Sequence, residues 1–141
     1  MISRGAFAIV VGATLALSAC AGPPVSVASN TYPSVPNGFA ETVNMISAEP
    51  IAVWVHGHTI LAVVTVGSEL CPPVPTAISA SDSSTVELTY VTSPNTPCSG
   101  SIGPTTNEFK IPEGLDEESD VTVNIRFEFD TPRTYTVQVQ D

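Results

Sequence analysis

The stretch VTVNIRFEF, residues 121–129, alternates apolar and polar side chains without a break. Val121, Val123, Ile125, Phe127 and Phe129 fall on one side, and Thr122, Asn124, Arg126 and Glu128 on the other. Successive side chains of a strand point to opposite faces, whereas the apolar face of a helix recurs every three to four residues. The pattern therefore predicts a strand with one dry and one wet face. TYTVQVQ repeats it, with Tyr135, Val137 and Val139 opposite Thr136, Gln138 and Gln140. Between the two, DTPR reads as a turn, so the segments predict a hairpin. STVELTY behaves in the same way through Val86, Leu88 and Tyr90, after a turn-like SDSS and a further strand in PTAISA. NEFKI is another short strand, closed by PEGLD.

IAVWVHGHTILAVVTV is more continuously apolar and reads as two strands joined at His56-Gly57. The second has the look of a central strand covered on both faces. Counting these segments gives seven or eight strands and no helix. The expected fold is all-β: an antiparallel immunoglobulin-like sandwich, with a small closed β-barrel as the alternative. The apolar residues are mainly Val, Ile and Ala, with Thr and Ser at polar positions, which suits strands.

Charge narrows the function. The chain of 141 residues carries 4 Lys+Arg against 14 Asp+Glu, a net charge of −10. Arg4 is the only basic residue before Lys110. Such a chain cannot neutralise a phosphate backbone, so nucleic acid is excluded as a partner, and it has no basic patch for anionic lipid headgroups.

The N-terminus carries MISR, with one positive charge, then the uncharged GAFAIVVGATLALSA. A charged start, an apolar run too short to span a bilayer and small residues at its end predict an export signal over residues 1–19. Leu17-Ser18-Ala19-Cys20 resembles the lipobox of bacterial lipoproteins. The resemblance implies cleavage before Cys20, a diacylglycerol with palmitate-type chains on its sulfur, and an extracytoplasmic domain held on the cell membrane. Two long acyl chains suffice for stable anchoring. An ordinary signal peptide, giving a soluble secreted domain, is the alternative. Residues 20–38 follow, rich in Pro, Gly and Ser and without periodicity, and read as a disordered tether. The β domain is then expected over residues 39–141.

With Cys20 assigned to the lipid, Cys71 and Cys98 remain. Export places them in an oxidising compartment, where two spare cysteines pair. Their contexts, ELCPPVP and NTPCSG, are loop-like, so the bridge is expected to pin the two ends of the hairpin between them. There is no Cys-x-x-Cys, and no Lys or His adjoins either cysteine to activate a thiol. LAVVTVGSELCPPVPT, a cysteine further on, and GPTTNEFKIPEGLD together resemble a group of small secreted lipoproteins of high-GC Gram-positive bacteria. The likeness spans about residues 50–120, with Val66 where the group often has tryptophan. It implies the location and the disulfide, and no activity.

Two clusters invite a chemical role. His56 and His58, the only histidines, could share one face of a strand and bind a metal, but no third ligand is nominated and Gly57 favours a turn. EGLDEESD gathers Glu113, Asp116, Glu117, Glu118 and Asp120 without the spacing of a calcium loop, and reads as a solvated acidic loop. Gly-x-Ser-x-Gly, His-Glu-x-x-His and Ser-x-x-Lys are absent. The expectation is a lipid-anchored, non-catalytic binding module without a cofactor, engaging another envelope protein or a small ligand. The alternative is a metal-binding protein or enzyme built on His56 and His58.

Overall fold

A computed structural model describes residues 21–98 and 100–141. The segment expected to be an export signal, the lipobox-like tetrapeptide and Cys20 lie outside the described residues. Eight strands form: β1 (Asn30–Tyr32), β2 (Ile51–Val55), β3 (Ile60–Ser68), β4 (Val74–Asp82), β5 (Thr85–Val91), β6 (Ile102–Lys110), β7 (Thr122–Glu128) and β8 (Arg133–Gln140). No helix occurs among the described residues. All eight belong to one sheet, in the order β1-β6-β3-β2-β8-β7-β5-β4.

The predicted hairpins are present. β7 pairs antiparallel with β8, β4 with β5, and β2 with β3. The expectation of an antiparallel immunoglobulin-like sandwich needs correction in its strand directions, because β2–β8 and β5–β7 are parallel. Period-two alternation is the same for either direction, so it cannot report which neighbour a strand takes. β8 joins the two halves of the sheet. Its first residues pair with β7, and its last, Val139 and Gln140, pair with Ala52 and Val53 of β2.

The sheet curls so that its halves share one core. Ala52, Trp54, Leu61, Val63 and Phe109 from one half pack with Val86, Leu88, Tyr90, Val123, Ile125 and Phe127 from the other. A buried polar bridge crosses this core. The Tyr90 hydroxyl donates to Asn107 Oδ1 at 3.0 Å, and Asn107 Nδ2 donates to Thr31 Oγ1 at 2.9 Å. The stretch before β1 links β6, next to one edge of the sheet, to β4 at the other edge. Ser29 N–H donates to the Glu108 carbonyl on β6, and Val27 N–H to the Pro75 carbonyl on β4, at 2.8 and 2.9 Å. β4 is an edge strand broken by two register shifts, which discourage pairing with another chain.

The segment expected to be a tether is therefore partly domain. β1 lies inside residues 20–38, and the chain beyond it packs on the outer face of one half-sheet. Val53, Ala62, Val64 and Thr106 occupy that face and are buried. The Thr106 hydroxyl donates to the Ser34 carbonyl, and Pro36 and Phe39 line a cleft together with Val55 and Glu108. A proline-rich segment needs no periodicity to cover an apolar face, because it contributes rings and not a regular ladder.

Candidate functional site

The two ends of the curled sheet differ. At one end the acidic loop folds inward through Leu115, which is buried and joins the core. Asp116 N–H donates to the Ser83 carbonyl at 2.8 Å, and Asp116 Oδ1 accepts from Glu118 N–H at 3.1 Å. That carboxylate is engaged in holding its own loop. The run therefore plugs the core with its one leucine and leaves its acids in water.

The histidine turn sits at this same closed end. His56, Gly57 and His58 all adopt positive φ, at 53°, 64° and 63°, in a loop between Val55 and Ile60. Left-handed backbone at non-glycine residues is strained, and here three in succession reverse the chain. The two imidazoles have different surroundings. His58 Nε2 lies 2.9 Å from Asp141 Oδ1, and its ring stacks on Trp54 at 5.5 Å between centroids. His56 instead lines a shallow polar cleft with Tyr32, Phe39 and Glu108. Among the described residues, no group of three or more His, Cys, Asp or Glu could hold a metal ion. In that cleft the Tyr32 hydroxyl donates to Glu108 at 3.0 Å; burial, and then Glu108 itself, push its pKa up to about 12.

The opposite end is open. A cavity of about 460 Å³ lies between the ends of β3, β7 and β8 and the loops around them. It falls in the size range of small-molecule sites. One wall is aromatic. Phe127 packs against Tyr90, Phe129 and Tyr135, with centroid separations of 5.1, 5.2 and 5.9 Å. Phe127, Phe129 and Tyr135 line the cavity. The facing wall is small: inward positions of β3 pass from Leu61 and Val63 to Thr65 and then Gly67, all on one parity. A Cβ at Gly67 would meet nothing within 4 Å, so the space beside it is empty. The core thins from leucine to glycine along one strand, and the cavity is the volume left over.

Cys71 and Cys98 form the predicted disulfide, with Cα atoms 5.3 Å apart. The bridge joins the loop before β4 to the loop after β5, so it does pin the ends of that hairpin. Both cysteines also line the cavity, which makes the bridge part of its lip. The two charged groups lining the cavity are Asp130, in the β7–β8 turn, and Arg133, the first residue of β8.

Sequence reasoning found the disulfide and missed the cavity. The signal was present in the alternation itself. The inward parity of β7 runs on to Phe129 beyond the strand, and the inward parity of β8 starts at an arginine. No protein-family model matches the chain, and no curated protein or solved structure is significantly similar to it.

Proposed function

We propose that this chain is a lipid-anchored, extracytoplasmic binding module that holds a small apolar ligand and carries out no chemistry on it. The lipobox-like Leu17-Ser18-Ala19-Cys20 supports the anchor. The observation that carries the binding role is the open-ended cavity walled by Phe127, Phe129 and Tyr135. A water-accessible apolar hollow of this volume leaves aromatic surface unpacked, which a rigid apolar ligand would cover. Cavity and histidines lie at opposite ends, so neither imidazole can serve as a base to a molecule bound there. The finer fold description that suits this role is a partial barrel, closed at the Leu115 end and open at the disulfide end.

Two measurements test the proposal. Labelling of cells with a fatty-acid probe is expected to mark the chain and to fail for Cys20→Ala; equal labelling would sink the anchor. Titration of the full chain carrying Cys20→Ala with N-phenyl-1-naphthylamine, an uncharged fluorophore, tests the cavity. Saturable binding that is abolished by Gly67→Leu is expected, since a Cβ at that position meets no atom within 4 Å and the longer side chain would occupy cavity space. Binding unaffected by that substitution would place the probe elsewhere and remove the cavity from the proposal.

A further inference from the structure

We infer that the ligand of this cavity is a flat apolar molecule bearing one anionic group, with Arg133 receiving the anion; this rests on the cavity being the binding site. Three observations converge on Arg133. It stands at an inward-facing position of β8, on the same parity as Tyr135, Val137 and Val139, where the strand otherwise places apolar side chains toward the core. Its registered neighbour across the ladder is Phe127, the centre of the aromatic wall. It lines the cavity, yet it makes no ion pair among the described residues, whereas Arg126 on the outward face pairs with Glu128 at 3.0 Å.

An arginine on the inward parity of its strand, exposed at the open mouth of a cavity with an aromatic residue opposite it, is suited to receive carboxylate, sulfonate or phosphate. Its planar guanidinium presents parallel donors in the geometry such anions accept. An arginine can lay its aliphatic stem on apolar surface and keep its head in water, which suits a position exposed at the cavity beside an aromatic wall. The aromatic wall selects the rest of the ligand, because rings stack or meet edge-on with other rings at the separations seen here. Asp130, the other charged group at the cavity, lies in the turn beyond the end of β7 and not on the ladder opposite a ring. The net charge of −10 repels anions from the surface at large, so anion binding to this chain has to be local.

The test uses two fluorophores with the same ring system, 1-anilinonaphthalene-8-sulfonate and the uncharged N-phenyl-1-naphthylamine, each titrated into the full chain carrying Cys20→Ala. The sulfonate is expected to bind more tightly. Arg133→Gln should weaken the sulfonate by about tenfold, the scale of one lost charge-assisted hydrogen-bonding group, and leave the uncharged probe within about twofold. Arg133→Lys, which keeps the charge and loses the fork, should fall between. Gly67→Leu should abolish both. If both probes bind equally, or Arg133→Gln weakens them alike, the anion assignment is overturned while the cavity stands. If neither probe binds, or both survive Gly67→Leu, the cavity reading fails and this inference falls with it.

Discussion

Tyr90 ties the two halves of the sheet together, and its ionisation exposes how much that tie depends on burial. The residue is fully buried, stacks on Phe127 and gives its hydroxyl proton to Asn107. Burial pushes its pKa far above the ordinary value of 10.0. The folded protein therefore keeps this proton where the unfolded chain has lost it. A group raised in the folded state contributes stability that is complete below its unfolded pKa and is lost as pH rises through the folded one. The loss starts near pH 10 and runs at about 1.4 kcal/mol per pH unit. Between pH 8 and pH 11, Tyr90 should account for a fall of roughly 1–2 kcal/mol. Tyr90→Phe removes that fall and carries a separate, pH-independent penalty. It leaves Asn107 Oδ1 buried without its donor, which costs about 1–3 kcal/mol. Urea unfolding of wild type and variant at the two pH values separates the effects. The variant should be the weaker at pH 8 and should lose less on going to pH 11. Residual alkaline loss in the variant is expected from Tyr32, whose raised pKa is unaffected by the change. If both proteins lose the same amount, Tyr90 does not resist ionisation and the buried bridge to Asn107 is not as described.

Three further outcomes follow from the packing. Replacing Cys71 and Cys98 together by serine opens a loop spanning a sequence separation of 27, and should lower unfolding stability by roughly 3–4 kcal/mol in the chain-entropy picture, read by urea denaturation with the wild type kept oxidised. Ile125→Ala empties a fully buried site between the two halves of the core and should destabilise by about 2–5 kcal/mol; a loss below 1 kcal/mol would mean the halves do not share a core. Gly57→Ala forces a third side chain into the left-handed turn at φ 64° and should lower the unfolding midpoint by an amount equivalent to about 1 kcal/mol, with probe binding at the far end unchanged.

The hairpins were legible because alternation and turn residues are local. Val123, Ile125 and Phe127 announce their shared face within one strand, and Thr131-Pro132 announces the reversal. The parallel pairing of β5 with β7 was not legible, since Val86, Leu88 and Tyr90 show the same alternation beside a parallel or an antiparallel neighbour. The cover over the outer face was half legible. The run Leu61-Ala62-Val63-Val64 has no polar side, so something had to cover Ala62 and Val64. Nothing in the proline-rich stretch identified it as the cover. The disulfide could be paired because Cys71 and Cys98 were the two left after Cys20. The cavity depends on Gly67 standing across from Phe127 and Tyr135, a juxtaposition set by the curl of the sheet and not by any one strand.

Arg133 also offers a way to ask whether the open end is shaped for folding or for binding. On stability grounds alone, the inward start of β8 should carry an apolar residue, as Tyr135, Val137 and Val139 do further along. Arg133→Leu would add apolar surface at the cavity mouth, where Phe129 and Tyr135 are half-buried, and remove no ion pair found among the described residues. Partial burial of a leucine side chain should then stabilise the fold by roughly 1 kcal/mol, less than full burial because the mouth stays open to water. The same change should weaken the sulfonate probe at least as much as Arg133→Gln does. Opposite movements in stability and anion affinity are the signature of a residue kept for its ligand at the expense of packing. A drop in the urea midpoint would instead show that the guanidinium holds the β7–β8 ladder together, and the inward arginine would then be structural.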